Sequence, residues 1–160
     1  MERLDKYTRI ALDLDQTLID HPVSLSLHHY VMDHPEKTFS IVTFRTNRDL
    51  VNLNRELQAY GLIDKSSFRQ IISCPERIWL EFNEDQDMRK RSRLPNPVID
   101  PHVTSLLPGE VKYFNWKAYV CRRIGAQVLV DDLEIIVAKG CHDLGIDFIN
   151  THSLNESEFV

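Results

Sequence analysis

Apolar stretches of strand length recur along this chain, each followed by a stretch with helical spacing, and that alternation restricts the fold more than any other feature of the sequence. Tyr7-Thr8-Arg9-Ile10-Ala11-Leu12-Asp13 reads as a strand that stays apolar until an acidic end, and residues 23–32 carry apolar side chains at helix-like spacing. Thr38-Phe39-Ser40-Ile41-Val42-Thr43 reads as a second strand. Thr46 can cap the helix after it, with Asp49 placed as in a capping box, an apolar stripe of Leu50, Leu53, Leu57 and Tyr60, and Gly61 as a stop. Phe68-Arg69-Gln70-Ile71-Ile72-Ser73 is a third strand, and Pro75 can start a helix whose apolar face holds Ile78, Trp79 and Phe82. Further on, Asn115 is expected to cap a helix reaching about Ile124. Residues 127–131 form a strand, 133–144 a helix and 146–149 a last strand. The pattern predicts an α/β, Rossmann-like three-layer fold with a parallel sheet of about five strands joined by right-handed crossovers. Such sheets bind ligands beyond the carboxyl ends of their strands.

One stretch breaks the alternation. Residues 84–110 hold a charged run and then Pro95, Pro97, Pro101 and Pro108, which reads as a long surface loop inside a single domain spanning 1–160, and as a candidate lid. A domain of 160 residues buries enough surface to fold without disulfides or a structural metal. The three cysteines, Cys74, Cys121 and Cys141, are scattered and lack zinc-site spacing, so reduced thiols in the cytoplasm are expected. The opening residues Met1-Glu2-Arg3-Leu4-Asp5-Lys6 lack the apolar core of an export signal, and no apolar run has membrane-spanning length. A net charge of −5 argues against a broad nucleic-acid surface but leaves room for a local basic patch. The one basic run, Met88-Arg89-Lys90-Arg91-Ser92-Arg93, follows Glu84, Asp85 and Asp87, which offset it, and reads first as a solvated mixed-charge loop. His28 and His29 are adjacent, cannot share a helical face, and suggest no metal site.

The chemistry is concentrated where apolar strands stop. In Asp13-Leu14-Asp15-Gln16-Thr17 a carboxylate ends the strand and a second follows two positions later, an arrangement suited to a nucleophile beside a general acid/base. A strand-end turn capped by Asp side chains would look the same. Thr43 can offer a hydroxyl at the second strand end, and Arg45 a charge-assisted bond to a phosphoryl oxygen. Lys117 is expected in the first turn of its helix, where a cation opposes the dipole unless both face an anion. Asp131 and Asp132 form an acidic pair after Val128-Leu129-Val130, costly unless paired or metal-bound, and hard oxygen ligands suit Mg²⁺.

Taken in this order, the segments resemble the haloacid dehalogenase (HAD) superfamily of phosphatases. That family is marked by a DxDx[TV] segment, a Ser or Thr at the next strand end, a Lys and a late acidic pair. The resemblance runs from about Thr8 to Phe148 and is closest at Asp13-Leu14-Asp15-Gln16-Thr17 and Val130-Asp131-Asp132. Phe44 stands where the family often has Gly between the hydroxyl residue and Arg, and Thr46 is the substitute for Thr43. The resemblance implies a Mg²⁺-dependent phosphohydrolase in which Asp13 forms an aspartyl-phosphate and Asp15 protonates the leaving group and then activates water. It implies that Thr43 and Lys117 hold phosphoryl oxygens. The metal would be held by Asp13, the Asp15 backbone carbonyl and Asp132, with Asp131 orienting Lys117 or a metal-bound water. No stretch is long enough for a full cap domain. The expected partner is a phosphorylated substrate, either a small molecule or a nucleic-acid terminus. The second arises because the Asp15-Gln16-Thr17-Leu18 run and the adjacent late acids are similar to polynucleotide kinase-type phosphatase domains. The alternative of another class is a non-catalytic HAD-like binding or regulatory domain. A receiver-type phosphoacceptor domain would carry its acidic pair at the first strand, the reverse of the order here.

Overall fold

The computed structural model describes residues 2–100 and 102–159; Met1, in the opening segment, and Pro101, one of the prolines of the expected loop, lie outside the described residues. In chain order the elements are α1 (Glu2–Asp5), β1 (Arg9–Leu12), α2 (Ser24–Asp33), β2 (Thr38–Thr43), α3 (Leu53–Gln58), β3 (Gln70–Ser73), α4 (Glu76–Arg91), α5 (Pro108–Ile124), β4 (Val128–Asp131), α6 (Glu134–Asp143) and β5 (Asp147–Asn150). The strands form one five-stranded sheet in the order β3-β2-β1-β4-β5, and every pairing is parallel. The chain steps outward from β1 to β3, then crosses back and steps the other way through β4 and β5. With right-handed crossovers, units stepping in opposite directions must lay their helices on opposite faces. The cores follow that rule. Ile10, Leu12, Ile41 and Val130 pack with Leu27 of α2 and with Leu53 and Leu57 of α3. Ala11, Val42 and Leu129 pack with Trp116, Ala118 and Cys121 of α5 and with Val137 and Cys141 of α6. The result is a three-layer, Rossmann-like α/β fold. Among the described residues no helix is long and apolar enough to cross a membrane.

The expected loop at 84–110 is helical at both ends. α4 continues to Arg91 and α5 begins at Pro108, and among the described residues those between 92 and 107 are irregular. Charge is no barrier to helix, because Glu, Gln, Met, Lys and Arg are all good helix formers. Arg89, Lys90 and Arg91 in the last turn of α4 also complement its dipole. The basic run is thus a helix end, and Arg89 is not a solvated cation. It is buried, pairs with Glu110, and donates to the carbonyls of Pro95 at 3.0 Å and Ser105 at 2.6 Å, tying both ends of the irregular segment to α4.

Two other elements differ from expectation. The stretch after Thr46 has the expected capping box but is broken into a 3₁₀ turn, Asn47–Leu50, and the short α3. α5 starts seven residues before Asn115, with Pro108 in its first turn, and the Asn115 amide bonds back to the Val111 carbonyl within the helix. The cap of α5 comes from α4 instead: an Asp85 carboxylate oxygen accepts from the N–H groups of Gly109 at 2.7 Å and Glu110 at 3.2 Å. Of the expected apolar face of α4, Ile78 and Phe82 are partly buried, whereas Trp79 is exposed.

Gly109 is what lets these helix ends meet. A Cβ there would fall 2.6 Å from the Asp85 carboxylate and 2.7 Å from the Glu81 carbonyl. Gly109→Ala is therefore expected to lower unfolding free energy by about 1–3 kcal/mol through overpacking. Urea unfolding checks it, and wild-type stability in the variant would mean that α4 and α5 can part without loss.

Candidate active site

β1 is the strand from which the chain steps in both directions, so the crevice beyond its carboxyl end is the natural ligand site of this sheet. Leu12 is paired with Val130, and the Asp13 N–H extends the ladder by donating to the Val130 carbonyl at 2.9 Å. Asp13 and Asp131 are therefore level on neighbouring strand ends. Side chains alternate along a strand, so both share the face of Ala11 and Leu129, the face that α5 covers.

Lys117 enters from α5. Its Nζ donates to Asp131 Oδ2 at 2.6 Å and lies 2.8 Å from Asp13 Oδ1, and it is fully buried. It sits well inside the helix, so the expectation of a first-turn lysine facing an anion with the dipole does not hold; two carboxylates hold it instead. The Phe44 ring covers the ammonium at 4.3 Å, Tyr113 stacks on Phe44 at 4.1 Å, and Phe82 stacks on Tyr113 at 3.8 Å. A desolvated ammonium gains from such a ring face, and the stack keeps water from that side of the ion pair.

The other Asp131 oxygen accepts from the Leu133 N–H at 2.8 Å, so both of its oxygens are engaged. Asp132 is half-buried. Oxygens of Asp13, Asp131 and Asp132 all lie within 4.8 Å of one another. Burial is the main force raising the Asp13 carboxyl, Lys117 pulls it down and Asp131 pushes it up again, to about 8 in balance. Burial opposes the Lys117 ammonium, and the two acids more than reverse that, leaving its pKa above the ordinary value. Burial and then Asp131 raise Asp132 as well. Three carboxyls against one ammonium leave the cluster short of positive charge. A small divalent cation with hard oxygen ligands, Mg²⁺ above all, fits that donor set.

The remaining residues surround this cluster. Thr43 is buried at the end of β2, and its hydroxyl oxygen accepts from the Arg45 N–H at 3.1 Å, leaving the O–H able to donate elsewhere. After Asp13 the chain turns sharply. The Leu14 carbonyl accepts from the N–H groups of Thr17, Leu18 and Ile19, and Gln16 takes φ +57°. The turn carries Asp15 out to a half-exposed position, where Arg45 grips both its oxygens, Nε to Oδ2 at 2.9 Å and Nη2 to Oδ1 at 2.7 Å. Arg45 Nη1 donates to Glu56 at 2.8 Å and to the Asp49 carbonyl at 3.1 Å. The guanidinium, expected on a phosphoryl oxygen, thus serves Asp15 and Glu56 in this arrangement. Thr46, the substitute for Thr43, donates its hydroxyl to Asp49 at 3.0 Å as part of the capping box.

Comparison with known proteins finds no matching family model, curated protein or solved structure. The structure brings Asp13, Lys117, Asp131 and Asp132 into one cluster, with Thr43 at the adjacent strand end and Asp15 beside it on Arg45. Sequence reasoning missed the covering by Phe44 and Tyr113. Tyr113 lies four residues before Lys117, on the same helical face, and would have been legible had α5 been started at Pro108.

Proposed function

We propose that this chain is a Mg²⁺-dependent phosphohydrolase that uses Asp13 as a nucleophile toward a phosphomonoester. The observation that supports this most is the buried Asp13–Lys117–Asp131 array with Asp132 beside it at the switch point of the sheet. Asp13, Asp132 and the Asp15 backbone carbonyl would hold the cation. When bound, Mg²⁺ supplies charge neutralisation between the carboxylates and the phosphoryl oxygens, which otherwise repel.

The chain's own groups do the rest. A carboxylate oxygen of Asp13 bonds to phosphorus as the bond to the leaving oxygen breaks, and Asp15, half-exposed and protonated from solvent before the step, gives that oxygen its proton. Asp15 then takes a proton from a water that attacks the phosphorus of the aspartyl-phosphate, releasing phosphate and restoring Asp13. Thr43 and Lys117 donate to phosphoryl oxygens, and Asp131 keeps Lys117 aimed at Asp13. Arg45 acts through Asp15, holding it at the mouth of the site. A nucleic-acid end as substrate loses support, because Arg89 is buried in a structural ion pair and only Lys90, Arg91 and Arg93 remain from the basic run.

A screen of phosphomonoesters with Mg²⁺ tests the reading. Hydrolysis of at least one ester is expected, ceasing in chelator and returning with Mg²⁺. Asp132→Ala is expected to raise the Mg²⁺ needed for half-activity by about tenfold or more and to abolish the rise in melting temperature on adding Mg²⁺. Asp15→Asn should be severely slowed with a much smaller change in Mg²⁺ requirement, since its proposed contact is through the backbone. Full turnover in chelator, or no ester hydrolysed, would sink the proposal.

A further inference from the structure

The end of the sheet opposite Asp13 carries a second concentration of charge, of the other sign. A cavity of about 490 Å³ opens there, lined by Arg9, Arg69 and Arg123 together with Thr38, Ser40 and Gln70. The three arginines come from separate parts of the chain: Arg9 begins β1, Arg69 precedes β3 with its N–H on the Phe39 carbonyl, and Arg123 lies in the last turn of α5. Parallel pairing of β1, β2 and β3 brings their starting ends side by side, and α5 delivers its carboxyl end to the same edge.

No acid lines this cavity. Among the described residues none of the three guanidiniums pairs with a carboxylate, whereas Arg3, Arg45, Arg48, Arg77 and Arg89 each do. The chain has 24 acidic residues and a net charge of −5, so an unneutralised cluster is not a consequence of composition. Asp147, an acid in the adjoining groove, accepts from the Tyr7 hydroxyl at 2.6 Å and lies 3.9 Å from the Lys6 ammonium. Arg123 gains from the carboxyl end of α5, but Arg9 and Arg69 stand at strand starts and have no helix end to serve.

We propose that this cavity binds a compact anion carrying at least two phosphoryl groups. Guanidinium forks match phosphate oxygens in pairs, and three of them suit an anion of charge about three or more. The Thr38 and Ser40 hydroxyls and the Gln70 amide add neutral donors. The volume is that of a small-ligand site, for which about 300–1,000 Å³ is usual. The length of β1 separates Arg9 from Asp13 by about 13 Å, so this site is distinct from the acidic cluster and does not depend on the proposed hydrolysis.

Calorimetric titration of the full chain with inorganic pyrophosphate, in chelator and at low salt, tests the proposal. One site is expected, at least tenfold tighter than for inorganic phosphate. Arg69→Gln and Arg123→Gln should each weaken it by about tenfold, the usual loss for one charge-assisted contact. Both residues are exposed and unpaired, so both variants should keep the wild-type melting temperature. Asp13→Asn and the distant surface change Arg93→Gln should leave binding unchanged. A nucleoside diphosphate titrated in parallel assigns the source, with tighter binding than pyrophosphate marking a nucleotide and weaker binding the inorganic anion. Absence of binding, survival of binding in both cavity variants, equal loss in Arg93→Gln, loss in Asp13→Asn, or phosphate as tight as pyrophosphate would each overturn the assignment.

Discussion

Asp13→Asn is expected to lower turnover of any phosphomonoester substrate by about 10⁴-fold or more, while the variant stays at least as stable as the wild type. The first half follows from the role given to the carboxylate, since the amide is nearly isosteric but a poor nucleophile. The second half is the more specific. Asp13 is buried and shares the single Lys117 ammonium with Asp131, so its charge is under strain from burial and from a like charge. An amide removes that charge and leaves the Lys117–Asp131 pair intact. Urea unfolding and turnover measured on one preparation separate the outcomes. A variant that loses activity because it unfolds would say nothing of a nucleophile, and a variant that turns over like the wild type would remove Asp13 from the role.

The parts of this site that the sequence made legible are those where an apolar strand stops. Asp13, Thr43 and Asp131 are each the first polar groups after a run of buried residues, and a parallel sheet brings such ends together wherever its strands are neighbours. Lys117 was identifiable as a residue but not by its surroundings. Its helix begins at Pro108, and the capping carboxylate of Asp85 comes from a different helix, a contact that no local pattern announces. The Arg45–Asp15–Glu56 linkage depends on the sharp turn after Leu14, which sends Asp15 toward Arg45 and out of the buried cluster. The two ends of the segment at 84–110 show a related limit. A dense charged run reads as solvated loop, yet the residues up to Arg91 favour helix, and the buried Arg89–Glu110 pair that anchors the segment joins residues far apart in sequence.

Lys117→Met is expected to destabilise the apo protein by about 3–5 kcal/mol at pH 8, the usual loss when one partner of a buried ion pair is removed. Methionine fills a similar volume, so the effect is electrostatic: Asp13 and Asp131 are left level on adjacent strand ends without a cation between them. The pH dependence gives the sign. The folded pKa of Asp13 is raised, to about 8, above its value in the unfolded chain. A group raised in this way contributes stability that is full below its unfolded pKa, near 4, and is lost as pH rises through the folded value. In the variant the ammonium that pulled the Asp13 carboxyl down is gone, so Asp13 is raised further. The gap between wild type and variant should therefore be narrower near pH 5, where Asp13 keeps its proton, and widest near pH 8. A second change, Asp131→Asn, should return most of the lost stability at pH 8, since a neutral amide needs no counter-charge and can still accept the Leu133 N–H. Urea unfolding of the wild type and both variants in chelator at the two pH values reads all of this. An equal gap at both values, or no rescue by Asp131→Asn, would mean that Lys117 supports the fold by packing under Phe44 and not by holding two acids apart.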